Sequence, residues 1–179
     1  FGTLGTPLTV EFVKEVNVVS GGYMPEYGRA MGGIFDVVTQ SGGNEFHGSV
    51  FFNITPGALE GPRTQVLRDG TVISTNPSLS SLRDFGATVG GPILKDRLWF
   101  FVSGRNNAYN NYVANAFNPD GTRAVDDNIV KSFPGRITGQ ATKNDRFTLL
   151  FDWANKVRGH RGLSATVQPE ASDRQTQPA

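Results

Sequence analysis

Apolar and polar residues alternate in short runs along this chain, and the alternation predicts strands rather than helices. Residues 11–19 set Phe12, Val13, Val16, Val18 and Val19 around Lys14, Glu15 and Asn17, and Ser20-Gly21-Gly22 ends the run. Residues 34–39, introduced by Gly32-Gly33, read as a second strand rich in β-branched residues. Between the two, Pro25 suits the start of one short helical turn over residues 23–30. Ser41-Gly42-Gly43-Asn44 is a turn signal and the best candidate for a domain boundary, dividing the chain into residues 1–43 and 44–179.

Beyond Asn44 the pattern predicts five dyad-repeat strands. Residues 45–54 carry Phe46, Gly48, Val50, Phe52 and Ile54 on one face and His47, Ser49 and Asn53 on the other, with Phe51 a misfit there. Residues 84–90 set Phe85, Ala87 and Val89 against Asp84, Gly86, Thr88 and Gly90. Residues 97–105 alternate Leu98, Phe100 and Val102 with Trp99, Phe101, Ser103 and Arg105. Residues 133–142 set Phe133, Gly135, Ile137, Gly139 and Ala141 against Arg136, Thr138 and Gln140. Residues 146–157 set Phe147, Leu149, Phe151, Trp153 and Val157 against Thr148, Asp152 and Lys156.

Short turns at 92–96 and 143–145 alternate with long polar links at 55–82, 106–132 and 158–172. An up-and-down meander produces this alternation when one end faces a confined compartment and the other the exterior. A soluble sandwich with two long hairpin loops on one side is the competing arrangement. Periodicity does not separate them, because the same alternation turns its apolar side inward in one and outward in the other. Gly86, Gly90, Gly135 and Gly139 would weaken a small soluble core. Phe85, Trp99, Phe100, Phe101 and Phe147, near the turn ends, suit an aromatic girdle at a membrane interface. The pattern favours the barrel, and places Arg105, Arg136 and Asp152 on its lumen side.

Composition narrows the chemistry. No cysteine is present among 179 residues, which excludes disulfides and cysteine-ligated metals, and two histidines leave no room for a multi-histidine site. A net charge of +1 gives no support to nucleic-acid binding. Charged residues make up 18%, below the usual level of about 25%, and 22 glycines are too many for a helical bundle. No apolar stretch approaches the ~18 residues of a transmembrane helix, a test blind to β-barrels. The chain opens on Phe1 without an initiator Met or a signal-peptide pattern and closes on a polar stretch over 170–179. It therefore reads as an excerpt from a longer polypeptide.

No catalytic, cofactor or metal set emerges. The glycines at 20–33 lack the Gly-Lys-Ser/Thr of a phosphate loop. Asn118, Asp120, Asp126 and Asp127 offer oxygen ligands, but their spacing matches no calcium loop and Asn118-Pro119-Asp120-Gly121 is turn chemistry. Glu45 and His47 share a strand face without a placed nucleophile. Residues 106–118, with Tyr109, Asn110, Tyr112 and Phe117, form the most ligand-like loop: aromatic faces beside amides suit sugars or peptides, and a plain solvated loop is the alternative. Arg29 is the one charged residue of the first segment that calls for a partner. A guanidinium facing a lumen of low dielectric needs a carboxylate partner; a surface contact with Glu26 within the same turn, worth little, is the alternative.

Two blocks resemble a known family. Residues 13–22, then Glu26-Tyr27-Gly28-Arg29-Ala30-Met31-Gly32-Gly33-Ile34-Phe35-Asp36-Val37-Val38-Thr39, resemble the end of the plug domain of TonB-dependent outer-membrane receptors, with Asp36 at the family's Asn position. Residues 41–49 look like the entry into that family's first barrel strand. Asp84-Phe85-Gly86-Ala87-Thr88-Val89-Gly90-Gly91-Pro92-Ile93 and Lys95-Asp96-Arg97-Leu98-Trp99-Phe100-Phe101 are similar to the Oar-like branch, whose members carry a carboxypeptidase-regulatory-like domain. The resemblance implies an all-β-dominated chain: a partial antiparallel transmembrane β-barrel meander of about five strands, preceded by the C-terminal part of a small α/β plug. It implies a Gram-negative outer-membrane location, uptake of a small-molecule, glycan or peptide nutrient, and no enzyme activity. The implied partners are outer-membrane lipid and a TonB-type energy-coupling complex engaged through an N-terminal part outside this chain. It also implies that Arg29 pairs with a barrel glutamate. A receptor-like structural or adhesion protein, or a soluble β-sandwich binding domain or enzyme, are the alternatives.

Overall fold

The computed structural model describes residues 10–22, 33–61, 66–68, 71–73 and 78–178. Among these the elements are strands and short 3-10 turns. The turn Val10–Phe12 leads into β1 (Val13–Val19), which pairs antiparallel with β2 (Ile34–Thr39) in a two-stranded sheet of its own. The helical turn expected over 23–30, with Glu26 and Arg29, lies outside the described residues.

The chain continues through β3 (His47–Pro56), the small hairpin β4 (Val66–Arg68) and β5 (Thr71–Ile73), β6 (Ser78–Leu94) and β7 (Leu98–Phe117). It ends with β8 (Arg123–Ser132), β9 (Gly135–Gln140), β10 (Arg146–Phe151), β11 (Ala154–Arg161) and β12 (Asp173–Pro178). β3, β6 and every later strand join one eight-stranded antiparallel sheet. β7 pairs with β9 from Leu98↔Gly139 to Val102↔Gly135, and with β8 from Arg105↔Ser132 onward. The two registers run on without a slip. β8 and β9 are thus one strand interrupted at Phe133-Pro134, where proline offers no N–H to the ladder. Ser103 N–H still donates to the Pro134 carbonyl at 3.0 Å. β10 and β11 are likewise one strand broken at Asp152-Trp153, bridged by Phe133 N–H to the Trp153 carbonyl at 2.7 Å. The eight strands therefore make a six-strand meander that does not close, with β3 and β12 at its edges.

Six strands rather than five is a correction, and so is the nature of the links. Most of the expected link at 106–132 is ladder, with β7 and β8 running up to a tight turn at 118–122. Residues 78–82 and 158–161 are strand as well, and 173–178, within the polar stretch at the end of the chain, pairs with β11. Where strands rise past an apolar band both of their faces meet polar surroundings. The backbone ladder continues while the hydrophobic alternation stops.

Residues directly opposite in the ladder share a face. Val50, Phe52, Ile54, Phe85, Val89, Ile137, Phe147, Leu149, Phe151 and Trp153 all lie exposed on one face of the sheet. Asp84, Ser103, Arg105 and Thr138 lie on the other. The N-terminal segment packs against this second face. Phe12 is fully buried there, its ring 5.8 Å from that of Phe101, and its carbonyl accepts the Gln40 N–H at 2.8 Å. At the far end a small cluster of Ala116, Ala124 and Leu163, with Val113 against it, ties the β7–β8 hairpin to the β11–β12 link.

The segment before β3 is pinned to the short turn between β6 and β7. Asn44 Nδ2 donates to Asp96 Oδ1 at 2.5 Å, and Asn44 Oδ1 accepts the Asp96 N–H at 2.9 Å and the Trp99 indole N–H at 2.7 Å. Asp96 holds φ 62°, a left-handed conformation that Asp tolerates better than most residues. Gly42 passes so close to this corner that a Cβ would strike the Phe100 carbonyl oxygen. Asn44→Ala in the full-length protein is expected to cost about 1 kcal/mol, the value of exposed hydrogen bonds lost together. Thermal unfolding in detergent measures it.

The 118–122 turn carries a pH signature. Thr122 donates both its hydroxyl, at 2.6 Å, and its N–H, at 2.9 Å, to Asp120 Oδ1. These bonds hold the Asp120 carboxyl below the usual carboxylate range. A lowered folded-state pKa adds stability that is present above the unfolded value and lost as pH falls through the folded one. Amide exchange at 118–122 is therefore expected to accelerate only on the acid side of the usual carboxylate range, and Asp120→Asn should abolish that dependence.

Candidate functional site

Three contacts fasten the N-terminal segment to the polar face. Arg105, on β7, donates through Nε to Asp84 Oδ1 at 2.8 Å and through Nη2 to Asp84 Oδ2 at 2.6 Å, a bidentate pair between neighbouring strands. Arg105 Nη1 also lies 3.6 Å from Glu11 Oε2. One guanidinium thus joins the sheet to the residue beside Phe12. Lower on the same face, Arg136 Nη1 donates to both the carbonyl and the hydroxyl of Thr39, each at 2.8 Å. Between these two clamps Phe101 packs against Phe12 and lies 5.9 Å from the His47 ring.

Above the clamps the polar face opens into a hollow of about 520 Å³. Its first row is Leu82, Tyr109, Asn128 and Arg158, each opposite the next across β6, β7, β8 and β11. Four strands at ladder spacing make this row about 14 Å wide. Asn107, Val130 and Lys156 form the row beneath it, and Asn111 faces Asp126 above it. Asp126 grips Arg158 through both carboxylate oxygens, one contact at 2.9 Å, and raises the guanidinium pKa further above its ordinary value. Lys156 is exposed and has no ion pair among the described residues. The hollow therefore offers amides, one phenol, one neutralised guanidinium and one free ammonium.

Of the expected ligand residues only Tyr109 lines this hollow. Asn110 and Tyr112 belong to β7 rather than to a loop and point to the opposite face. Asn110 donates to Ser81 Oγ at 3.3 Å, and Tyr112 lies under the Arg123 guanidinium at 4.4 Å. Asn107, Asn111 and Asn128 were missed. The signal was the two-residue spacing of Asn107, Tyr109 and Asn111, which continues the parity of Ser103 and Arg105. Arg105, Arg136 and Asp152 share the polar face of the sheet but do not converge; the Asp152 carboxylate oxygens are buried without a hydrogen-bond partner. Asp126 and Asp127, weighed as cation ligands, are engaged by Arg158 and His160 instead. His47 does not meet the Glu45 carboxylate: its Nδ1 is 3.3 Å from the Glu45 backbone carbonyl.

Residues 38–119 match the family model of the outer membrane beta barrel domain. The fold is that of part of an outer-membrane β-barrel. Over 102 residues, 57% of the chain, it is 61% identical to the TonB-dependent transporter Oar of Myxococcus xanthus, and it spans about a tenth of that protein's length. No solved structure matches it. The apolar face, with its exposed Phe, Leu, Val and Ile, is accordingly the lipid-facing side, which decides against the soluble sandwich. The chain's location is the outer membrane, and its open six-strand meander is part of a barrel.

Proposed function

We propose that this chain is the junction of plug and barrel in a TonB-energised outer-membrane transporter, with residues 1–43 ending the plug and residues 44–179 opening the barrel. The likeness to a TonB-dependent transporter over 102 residues carries this reading. The contacts from Glu11, Phe12 and Thr39 to the polar face support it, since a plug must be held against a lumen wall. In this reading Arg105, Arg136 and Asp152 line the lumen, Arg29 pairs with Glu26 or with a barrel carboxylate, and the hollow around Tyr109 meets substrate. The work is uptake rather than catalysis, energised by a TonB-type inner-membrane complex acting on the whole protein.

The test compares spent medium from wild-type cells, cells lacking the full-length gene and cells lacking the energy-coupling protein, by untargeted mass spectrometry. The same nutrient class is expected to remain unconsumed in both mutants. Tyr109→Ala with Asn128→Ala in the restored full-length protein is expected to slow its consumption severalfold at unchanged outer-membrane abundance. Identical spent media, with altered adhesion or envelope integrity, would make the protein structural.

A further inference from the structure

A second hollow, of about 660 Å³, lies on the lipid-facing side in the middle of the sheet. That volume falls within the range of about 300–1,000 Å³ typical of ligand pockets. Its floor is Ala87 and Gly104, directly opposite each other on β6 and β7. Phe52 and Phe85, their rings 6.4 Å apart, form one wall, and Phe133 and Trp153 form the other. All four rings are substantially exposed, from 42% to 66%.

Gly104 is what keeps the groove open. A Cβ there would meet a single Phe133 ring carbon at 3.7 Å, an ordinary contact. At neighbouring Gly86 a Cβ would lie 2.4 Å from the Gly104 carbonyl oxygen and collide with the Phe51 ring as well. The backbone thus demands glycine at 86 but not at 104, where strand propensity favours a side chain.

The upper rim is polar: Lys131 stands directly opposite Asn106 in the ladder. Lys131 has no carboxylate within ion-pair distance among the described residues. It lies toward the long hairpins, the side that outer-membrane barrels turn to the exterior. An ammonium above an apolar groove at that depth complements a phosphate above an acyl chain.

We propose that this groove binds a phosphorylated outer-leaflet lipid, one acyl chain lying over Gly104 and Ala87 between the aromatic walls and the phosphate pairing with Lys131. The site is complete within this chain and does not depend on the transport reading. The full-length protein in a neutral detergent is titrated with phosphatidylglycerol, or with an uncharged diacyl glycolipid of the same chain length, and bound lipid is counted by native mass spectrometry. Lys131→Gln is expected to reduce phosphatidylglycerol retention about fivefold and leave the glycolipid unchanged. Gly104→Leu is expected to remove retention of both, with folding checked by heat-modifiable gel mobility. Should that variant not fold, Ala87→Leu fills the same floor. Equal retention of both lipids by the wild type, or wild-type retention by the variants, overturns the proposal and leaves only ordinary boundary lipid.

Discussion

Residues 1–179, expressed alone and moved into detergent-free buffer, are expected to elute from size-exclusion chromatography as aggregates or edge-to-edge assemblies. The outer face presents Val50 at 83%, Phe52 at 66% and Leu149 at 62% exposure, with many further apolar side chains around them. In a membrane that surface meets lipid. In buffer it forms a contiguous apolar patch beyond what soluble monomers tolerate. The N-terminal segment packs on the opposite, polar face and so shields none of it. β3 and β12 add two edges whose N–H and C=O groups are free to pair with another copy. A sharp monomer peak with cooperative unfolding would defeat this prediction, and the lipid-facing assignment of Phe52, Phe85 and Leu149 with it.

Arg105→Leu in the full-length protein is expected to destabilise the barrel by about 3 kcal/mol and to loosen the N-terminal segment. Asp84 is buried and Arg105 is its bidentate partner. Removing the guanidinium leaves an uncompensated carboxylate, a loss of about 3–5 kcal/mol in a dry interior. The partial exposure of the pair places the cost at the low end. Two readouts separate the roles of this one side chain. The thermal midpoint in detergent reports the Asp84 pair, and proteolysis within residues 10–22 reports the Glu11 contact. Glu11→Gln should increase proteolysis with little change in the midpoint. If Arg105→Leu leaves both readouts at wild-type values, the clamp contributes nothing.

The strands were legible in sequence only as far as the apolar band extends. Phe147, Leu149, Phe151 and Trp153 alternate with Thr148, Leu150 and Asp152, polar but for Leu150, because each outward position meets lipid and each inward one does not. Above Asn106 and Lys131 that difference vanishes. Asn107 to Asn111 and Asp126 to Asn128 then look like loop, although the ladder holds them as firmly as the residues below. The candidate site lies in that region, which is why the sequence there resembles a ligand loop where the structure has a strand, and why two of the three expected residues point away from the hollow. Tyr109 and Tyr112 are three apart, an odd spacing that puts them on opposite faces of any strand.

By itself the sequence determined the fold class, the face of each strand within the band and the turns at Asp96 and Asp120. All of these are local: dyad periodicity and turn chemistry act within a few residues. Only the tertiary structure decided which residues meet across strands. Asp84 with Arg105, Asp126 with Arg158 and Thr39 with Arg136 are separated by 21, 32 and 97 residues. Their pairing follows from ladder register and from where the N-terminal segment docks. Register is set by the summed hydrogen bonding and side-chain fit of whole strands, so no short window of sequence contains it.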